Sequence, residues 1–257
     1  MMTDLILETR GLTKHYGGVH ALTGADFSLT RGEHVAIMGD NGAGKSTFVR
    51  QITGVEKPTG GQIIFDGVEH TFQSPIEARE AGIETVFQTL ALADDLDVPS
   101  NLFLGREKIR FNLGPFSILD KRAMKEAAMA ALLKTGVKIP NIMNTIRNMS
   151  GGQRQCVAIA RTAAFKSKLV IMDEPTAALG VQETAQVENI IRTLKEAGEP
   201  LILISHNMRQ VFDLVDRIVV FRRGRIVANL RKEDTSGEDV VAYITGAKTG
   251  TEYQGAA

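Results

Sequence analysis

The chain has 257 residues, 43% of them hydrophobic, which is enough for one large domain or a domain with an inserted subdomain. Its 30 Lys and Arg are balanced by 30 Asp and Glu, which argues against a nucleic-acid partner. The single cysteine, Cys156, excludes an internal disulfide framework and is expected to be a small buried residue in a reducing compartment. No stretch approaches the ~20 apolar residues of a membrane span, so any membrane association is expected to come through a partner.

The first part of the chain predicts an antiparallel sheet. Up to about Gly32, short apolar stretches alternate with turn residues, including Gly17-Gly18 and Arg31-Gly32. Residues 63–68 predict a hairpin whose turn contains an Asp-Gly pair.

The middle of the chain, from about residue 90 to residue 165, has a largely helical pattern. Its clearest helix covers residues 120–134 and is ended by Gly136 and Pro140. We interpret this region as a helical subdomain inserted into the core that the flanking parts of the chain form.

The last part of the chain returns to alternating strands and helices. Residues 169–172 and 201–204 are continuous apolar runs, as expected for parallel strands buried on both faces. The pattern at 183–197 predicts the helix between them, with Gly198 as its C-cap. Residues 217–230 predict a second hairpin turning at Arg223-Gly224, and the small, polar tail beyond Lys248 is expected to be loose.

The most informative motif lies at residues 39–47, directly after the apolar run His34–Met38. It matches the phosphate-binding loop pattern G-x-x-x-x-G-K-[ST], in which glycines let consecutive N–H groups point at phosphate oxygens. Lys45 would neutralise phosphate charge, Ser46 would offer a hydroxyl to Mg²⁺, and a helix beginning near Gly44 would direct its positive dipole end at the phosphates. The plain alternative is an ordinary glycine-rich turn. The predicted nucleotide-binding residues of this loop are Gly39, Asn41, Gly42, Ala43, Gly44, Lys45, Ser46 and Thr47.

A second motif is the apolar run at residues 169–172, which follows Lys168 and leads into the acids Asp173 and Glu174. Asp173 would help to hold Mg²⁺, directly or through water. Glu174 would act as general base on the attacking water, a role that typically contributes about 10²- to 10⁴-fold in rate. An acidic pair that caps a helix is the alternative.

The third motif is Met149-Ser150-Gly151-Gly152-Gln153, which precedes an apolar helical pattern. Ser150 and Gln153 also have the spacing of a capping box, so a well-capped helix is the alternative. Together with the phosphate loop and the acidic pair, however, this segment resembles the signature motif of ATP-binding cassette (ABC) ATPases, usually Leu-Ser-Gly-Gly-Gln. The resemblance covers essentially the whole chain.

This resemblance implies an α/β fold, with a RecA-like P-loop NTPase core, an N-terminal antiparallel β subdomain and an inserted α-helical subdomain. The implied single ABC ATPase domain covers residues 1–250. Its core lies at about 1–88 and 166–232, its helical subdomain at about 89–165, and a C-terminal segment at 233–257.

The resemblance also assigns roles to three residues that carry little information alone. Tyr16 matches the aromatic residue that stacks on the adenine of ATP, although a lone tyrosine is more often a core residue. Gln88 matches the glutamine that links the nucleotide metal to the helical subdomain and the membrane partner. His206 matches the histidine that contacts the γ-phosphate and orients the water and Glu174; alone, it would more often be structural.

The mechanism implied by the resemblance needs two copies. A homodimer would hold two ATP molecules head to tail, each between the phosphate loop of one copy and the Ser150, Gly151, Gly152 and Gln153 turn of the other. The two copies would close on ATP and open after hydrolysis. The cleft around Gln88 would transmit this motion to an integral membrane permease. The chain would then lie peripherally on the cytoplasmic face of the inner or plasma membrane.

Two positions depart from the family pattern. Gly180 stands where the family commonly has an aspartate, and the missing carboxylate would weaken communication between the two sites. Met149 replaces the usual leucine with a side chain of similar size. Because Glu174 and His206 are intact, we expect hydrolysis, and a non-hydrolysing regulatory cassette is supported by Gly180 alone.

Residues 87–107 and 176–181 resemble the ATPases of bacterial ribose, xylose and fructose importers. The chain has one set of motifs, so it is similar to the single-cassette form, with fructose-type uptake as the nearest match. A periplasmic or surface binding protein and the permease would choose the sugar. The alternatives are amino-acid import, lipid or polysaccharide export, and a soluble ABC ATPase, which would need long coiled-coil insertions or tandem cassettes and basic surfaces.

Overall fold

The computed structural model, which describes residues 4–111, 114–165 and 167–250, divides the chain into two units. The first unit comprises Met1–Thr85, Lys168–Glu174 and Lys195–Ala257, and the second comprises Val86–Ser167 and Pro175–Leu194. The strands are β1 Leu5–Tyr16, β2 Val19–Thr30, β3 His34–Met38, β4 Gly60–Phe65, β5 Val68–His70, β6 Ile83–Val86, β7 Ile109–Phe111, β8 Ile118–Leu119, β9 Leu169–Asp173, β10 Leu201–Ile204, β11 Arg217–Arg222 and β12 Arg225–Arg231. The α-helices are α1 Lys45–Ile52, α2 Pro75–Ala81, α3 Val98–Leu102, α4 Lys121–Lys134, α5 Gly151–Ala163, α6 Val181–Glu196, α7 Met208–Leu214 and α8 Gly237–Thr245.

The first unit contains the predicted antiparallel sheet, in the order β2-β1-β4-β5. The β1–β2 hairpin turns at Gly17-Gly18, and the β4–β5 hairpin turns at Asp66 and Gly67, whose φ angles are 52° and 79°. Two successive positive φ angles match the right-handed twist of the flanking strands, and the Asp-Gly pair tolerates them. Both predicted turns are therefore confirmed.

A six-stranded sheet with the order β12-β11-β3-β10-β9-β6 forms the other layer of this unit. Strand β10 pairs in parallel with both β3 and β9, and β11 is also parallel to β3. The predicted β11–β12 hairpin is present, with positive φ at Arg223 and Gly224. The prediction of buried parallel strands at β9 and β10 is confirmed, and their continuous apolar runs reflect burial on both faces.

Helix α1, which directly follows the phosphate loop, packs against the core of the first unit. Its buried residues include Phe48, whose ring lies 5.3 Å from that of Phe27 and 5.4 Å from that of Phe221. These rings belong to one buried cluster with residues of β1, β3, β9 and β10. Helix α1 is therefore positioned by packing of its inner face as well as by its chain connection to β3.

The second unit has a helical core of its own, formed mainly by buried residues of α3, α4 and α5. The clearest predicted helix is α4: the Asp120 carboxylate accepts a hydrogen bond from Ala123 N at 2.9 Å, and Gly136 follows its end with φ 67°. The helix predicted at 183–197 is α6, which begins two residues earlier, at Val181. The short β7–β8 pair was not predicted, because two- and three-residue strands have no detectable period.

The fold class expected from the family resemblance is confirmed by this mixed α/β architecture, whereas the predicted domain boundaries stay a prediction. The predicted loose tail beyond Lys248 falls mainly on residues 251–257, which lie outside the described residues. No helix in the described ranges combines the length and apolar character needed to cross a membrane.

Candidate functional site

Most of the predicted site residues of the first unit follow three neighbouring parallel strands. The phosphate loop follows β3, Asp173 ends β9, and His206 comes two residues after β10. Strand register aligns Ile204 with both Ile37 and Asp173, so the three carboxyl ends lie side by side. This edge of an open α/β sheet is where ligands bind.

The phosphate loop has a backbone that only glycine accommodates at several positions. Gly39, Gly42 and Gly44 have φ angles of 146°, 77° and 106°. A Cβ atom at Gly39 would overlap the Phe221 carbonyl oxygen, and one at Gly44 would lie 2.9 Å from the Ala21 carbonyl oxygen. At Gly42 no atom lies within 4 Å of that position, so only the φ angle favours glycine there.

The sequence did not reveal the residues in and next to β11 that contact the phosphate loop. Gly224 N donates to the Ala43 carbonyl oxygen at 2.9 Å, and a Cβ at Gly224 would lie 2.9 Å from the Ala21 carbonyl oxygen. Phe221 supplies the carbonyl that closes the space at Gly39. The Arg223-Gly224 turn was visible in the sequence as a hairpin, but nothing local showed that it packs on the loop.

Helix α1 begins directly after the loop with its positive dipole end unneutralised. Gly44 is the N-cap residue and makes no side-chain cap, and the first turn has no acidic residue. Ser46, in this first turn, is exposed. The start of α1 can therefore attract an anion, as helix N-termini in phosphate sites do.

Lys45 is partly buried among oxygen atoms. Its Nζ donates to the carbonyl oxygens of Gly39 at 2.6 Å and Asp40 at 3.0 Å. Burial lowers the pKa of Lys45, whereas the charges of Glu174 and Asp173 act in the opposite direction. A ligand with negative charge at this position would favour the ammonium form.

Asp173 and Glu174 form a close acidic pair at the end of β9. Burial, and then the neighbouring Glu174 charge, raises the pKa of Asp173 above its usual value. Glu174 has a φ of 50°, unusual for a residue with a side chain, and its N–H donates to the Ile204 carbonyl oxygen at 2.9 Å. Such backbone strain is held by the surrounding structure and is common at active sites.

His206 contacts the second acid of this pair. Its Nδ1 lies 2.9 Å from Glu174 Oε1, and its side chain is 80% exposed while that of Glu174 is 16% exposed. With a proton on Nδ1, the ring donates to the carboxylate and leaves Nε2 directed elsewhere. The histidine can therefore orient Glu174 while its other edge is accessible.

Tyr16 ends β1 and is half exposed. Its hydroxyl donates to the Glu56 carboxylate, and Lys14 Nζ lies 5.3 Å from the ring centroid. Arg50 pairs with the same carboxylate at 3.0 Å. Tyr16 is thus a fixed surface ring rather than a core residue.

The remaining predicted site residues belong to the second unit. Gln88 is exposed, two residues after β6. Ser150 and Gln153 form the predicted capping box at the start of α5: Ser150 Oγ accepts from Gln153 N at 3.2 Å, and Gln153 Oε1 accepts from Ser150 N at 3.1 Å. Met149 lies in the buried cluster of this unit, which suits its apolar replacement of leucine.

The glycines of this turn differ in their surroundings. Gly151 has no atom within 4 Å of a built Cβ, whereas the Cβ position of Gly152 is filled by the Glu183 side chain. The first turn of α5 contains no acidic residue of its own. Its exposed Ser150 and Gly151 lie at a helix N-terminus, which favours an anion.

Comparison with known protein families gives a match over residues 22–177 to the ABC transporter family. The chain is 49% identical to the fructose import ATP-binding protein FrcA of Rhizobium meliloti over 96% of both chains. It is 42% identical to the xylose/arabinose import ATP-binding protein XylG of Sulfolobus acidocaldarius over 97% of both chains. Its fold is similar to that of a nucleotide-free ATP-binding cassette from an ABC transporter, with a TM-score of 0.79, 28% identity and coverage of 94% of this chain and 95% of the other.

Proposed function

Because this chain belongs to the ABC transporter family, we propose that it is the ATP-binding and ATP-hydrolysing subunit of a carbohydrate importer. The observation that carries the proposal is the similarity, along almost the full length of both proteins, to ATP-binding proteins named for fructose and for xylose or arabinose import. The arrangement of Lys45, Glu174 and His206 at one sheet edge supports the catalytic part.

The phosphate loop and Tyr16 would bind ATP. The loop N–H groups and the start of α1 would surround the β- and γ-phosphates, and Lys45 would exchange its contacts with Gly39 and Asp40 for phosphate oxygens. The Tyr16 ring, held at its hydroxyl by Glu56, would stack on adenine.

Glu174 and His206 would carry out hydrolysis. Glu174 would accept a proton from water as the water oxygen bonds to the γ-phosphorus and the bond to the ADP oxygen breaks. His206 would keep the carboxylate in place through the 2.9 Å contact and face the γ-phosphate with its exposed edge. The products are ADP and phosphate.

The oxygen donors present fit Mg²⁺, which binds proteins through one or two carboxylates and otherwise through phosphates and water. Asp173 is a partly buried carboxyl whose raised pKa marks a poorly solvated charge, and a divalent cation would favour its ionised form. Ser46 and Asp173 are the residues of the first unit that would hold the ion. When bound, Mg²⁺ supplies neutralisation of phosphate charge.

A second copy of the chain would complete each site. The turn formed by Ser150, Gly151, Gly152 and Gln153 would bind the γ-phosphate of the ATP held by the partner's phosphate loop. Two ATP molecules would then join a homodimer, and hydrolysis would release it.

The partners in the membrane follow from the importer assignment. An integral permease would receive the motion near Gln88, and a periplasmic or surface binding protein would deliver the sugar. The chain itself would lie on the cytoplasmic face of the membrane. Its balanced charge gives no support to a nucleic-acid partner.

The test is to purify the chain from native membranes in mild detergent and identify the proteins that accompany it. The complex, reconstituted with its binding protein, is then assayed for ATP hydrolysis with fructose, xylose, arabinose or ribose, using Glu174→Gln as the inactive control. Stimulation by one sugar, together with a co-purified permease, supports the proposal and names the cargo. Stimulation by an amino acid, lipid or polysaccharide instead, or a purely soluble partner, would overturn the sugar assignment and leave the ATPase assignment standing.

A further inference from the structure

Gly180 is the departure from the family pattern that the proposed mechanism leaves unexplained. Its φ is not in the left-handed region, so its backbone does not require glycine. The end of the Glu183 side chain lies in the space that a side chain at position 180 would take, since a Cβ there would lie 2.6 Å from Glu183 Oε2 and 3.6 Å from Glu183 Cδ. The absent side chain thus makes room for a carboxylate that comes from three residues further along.

The same carboxylate side chain also passes Gly152, the second residue of α5. A Cβ there would overlap Glu183 Cγ and lie 2.6 Å from Glu183 Cβ. The neighbouring Gly151 has open space at the equivalent position. Glu183 therefore fills the side-chain positions of two glycines. Gly152 lies in the turn formed by Ser150, Gly151, Gly152 and Gln153, hereafter the signature turn, and Gly180 lies six residues after Glu174.

Glu183 belongs to a helix that contacts both Gly180 and α5. It lies in the first turn of α6, where Thr184 N donates to the Gly180 carbonyl oxygen at 2.9 Å. Cys156 and Gln186 add a second α5–α6 contact, with Sγ 3.8 Å from Oε1. Burial, and then the Glu183 charge, raises the pKa of the Cys156 thiol to about 11, in keeping with a carboxylate close to α5.

We propose that Glu183 is a positioning residue, which supplies from the start of α6 the carboxylate that the chain lacks at position 180, and which couples residues 175–180 to the signature turn. This rests on the proposed function, in which the signature turn receives the partner's ATP. A γ-phosphate at the start of α5 would bring negative charge next to the Glu183 carboxylate, and two anions repel each other at one helix N-terminus. Displacement of Glu183 would move the segment that directly follows Glu174 in the chain.

The test compares Glu183→Ala, Glu183→Gln and the double variant Gly180→Asp/Glu183→Ala in the reconstituted complex. The readouts are ATPase turnover, the Hill coefficient for ATP, and the ATP Kd of the isolated chain. We expect Glu183→Ala to lower turnover by about five- to tenfold and to move the Hill coefficient towards 1, since allosteric coupling is typically about 5–150-fold. The ATP Kd of the isolated chain should stay unchanged, because the phosphate loop is untouched.

The other two variants separate charge from packing. Glu183→Gln keeps the size of the side chain, so a coupling role predicts that it behaves like Glu183→Ala and a packing role predicts wild-type behaviour. The double variant returns a carboxylate to position 180 and should recover most of the Hill coefficient. Wild-type turnover and Hill coefficient in Glu183→Ala, or in Glu183→Gln, would overturn the proposal, as would a double variant no better than Glu183→Ala.

A stability measurement checks the packing independently of transport. Gly152→Ala should lower the Tm of the isolated chain, Gly151→Ala should not, and Glu183→Ala should restore much of the loss caused by Gly152→Ala. If Gly152→Ala is as stable as the wild type, the side-chain position assigned to Glu183 is wrong. Absence of sugar stimulation in the wild type would count only against the cargo, since the Hill coefficient is measured on basal hydrolysis.

Discussion

Replacing Gly39 with alanine tests the geometry of the phosphate loop without any nucleotide. The added Cβ would overlap the Phe221 carbonyl oxygen and lie 3.1 Å from its carbonyl carbon and 3.2 Å from Ala43 Cβ. The first two of these atoms are main chain of β11, which pairs with β12 at Phe221 and with β3 up to Val220. Neither can move away as a flexible side chain would.

The expected cost has two parts. A non-glycine residue at a φ of 146° carries backbone strain of about 1–3 kcal/mol. Forcing a methyl group into packed atoms adds about 1–3 kcal/mol. The free energy of unfolding should therefore fall by about 2–6 kcal/mol, and the Tm should fall by about 2–4 °C for each kcal/mol in a chain of this size.

Gly42→Ala is the matched control in the same loop. Its φ of 77° also favours glycine, but no atom lies within 4 Å of the new Cβ, so only the strain applies. Thermal unfolding of both variants, followed by circular dichroism in nucleotide-free buffer, should place Gly39→Ala clearly below Gly42→Ala. Equal Tm values for the two variants would refute the argument that the Phe221 carbonyl imposes glycine at position 39.

The remaining predictions concern the acidic pair, the buried ion pair and the thiol. Glu174→Gln should bind ATP and accumulate as a dimer, because an amide cannot accept the proton from water; a monomeric ATP-bound variant in size-exclusion chromatography counts against the two-copy site. Arg217→Met should lower the free energy of unfolding by about 3–5 kcal/mol at pH 7, since Arg217 Nε lies 2.6 Å from Glu33 Oε1 and the acid would stay buried without its partner. Although burial opposes it, Arg217 holds the pKa of Glu33 below its usual value, so this stabilisation is present above the unfolded pKa of about 4.3 and is lost as the pH falls through the lower folded pKa. Urea titrations of wild type and variant should therefore converge at acid pH, and a constant difference would exclude the ion pair as the cause. Cys156, buried and with its pKa raised to about 11, should resist thiol reagents at pH 8 until urea is added; rapid labelling of the native chain would contradict its burial.

The sequence alone determined the local features of this protein, because these depend on residues close together in the chain. Two adjacent residues suffice to specify the Asp66-Gly67 turn, and Ser150 with Gln153 suffices for a capping box. The phosphate loop was equally visible, since its glycines and Lys45 stand in one short segment. Site residues outside such motifs, Tyr16, Gln88 and His206, were found only through the family resemblance, and their roles remain predictions.

Tertiary structure decided the features that join distant segments. The order β3-β10-β9 brings Glu174 beside His206, and no local pattern specifies which strands become neighbours. The same holds for the Phe221 carbonyl behind Gly39 and for the Glu183 carboxylate between Gly152 and Gly180. In the sequence, Gly180 is notable only because the family commonly has an aspartate at this position. In the folded chain, the end of the Glu183 side chain lies in the space beside Gly180, and only the tertiary structure decides which atoms come into the same space.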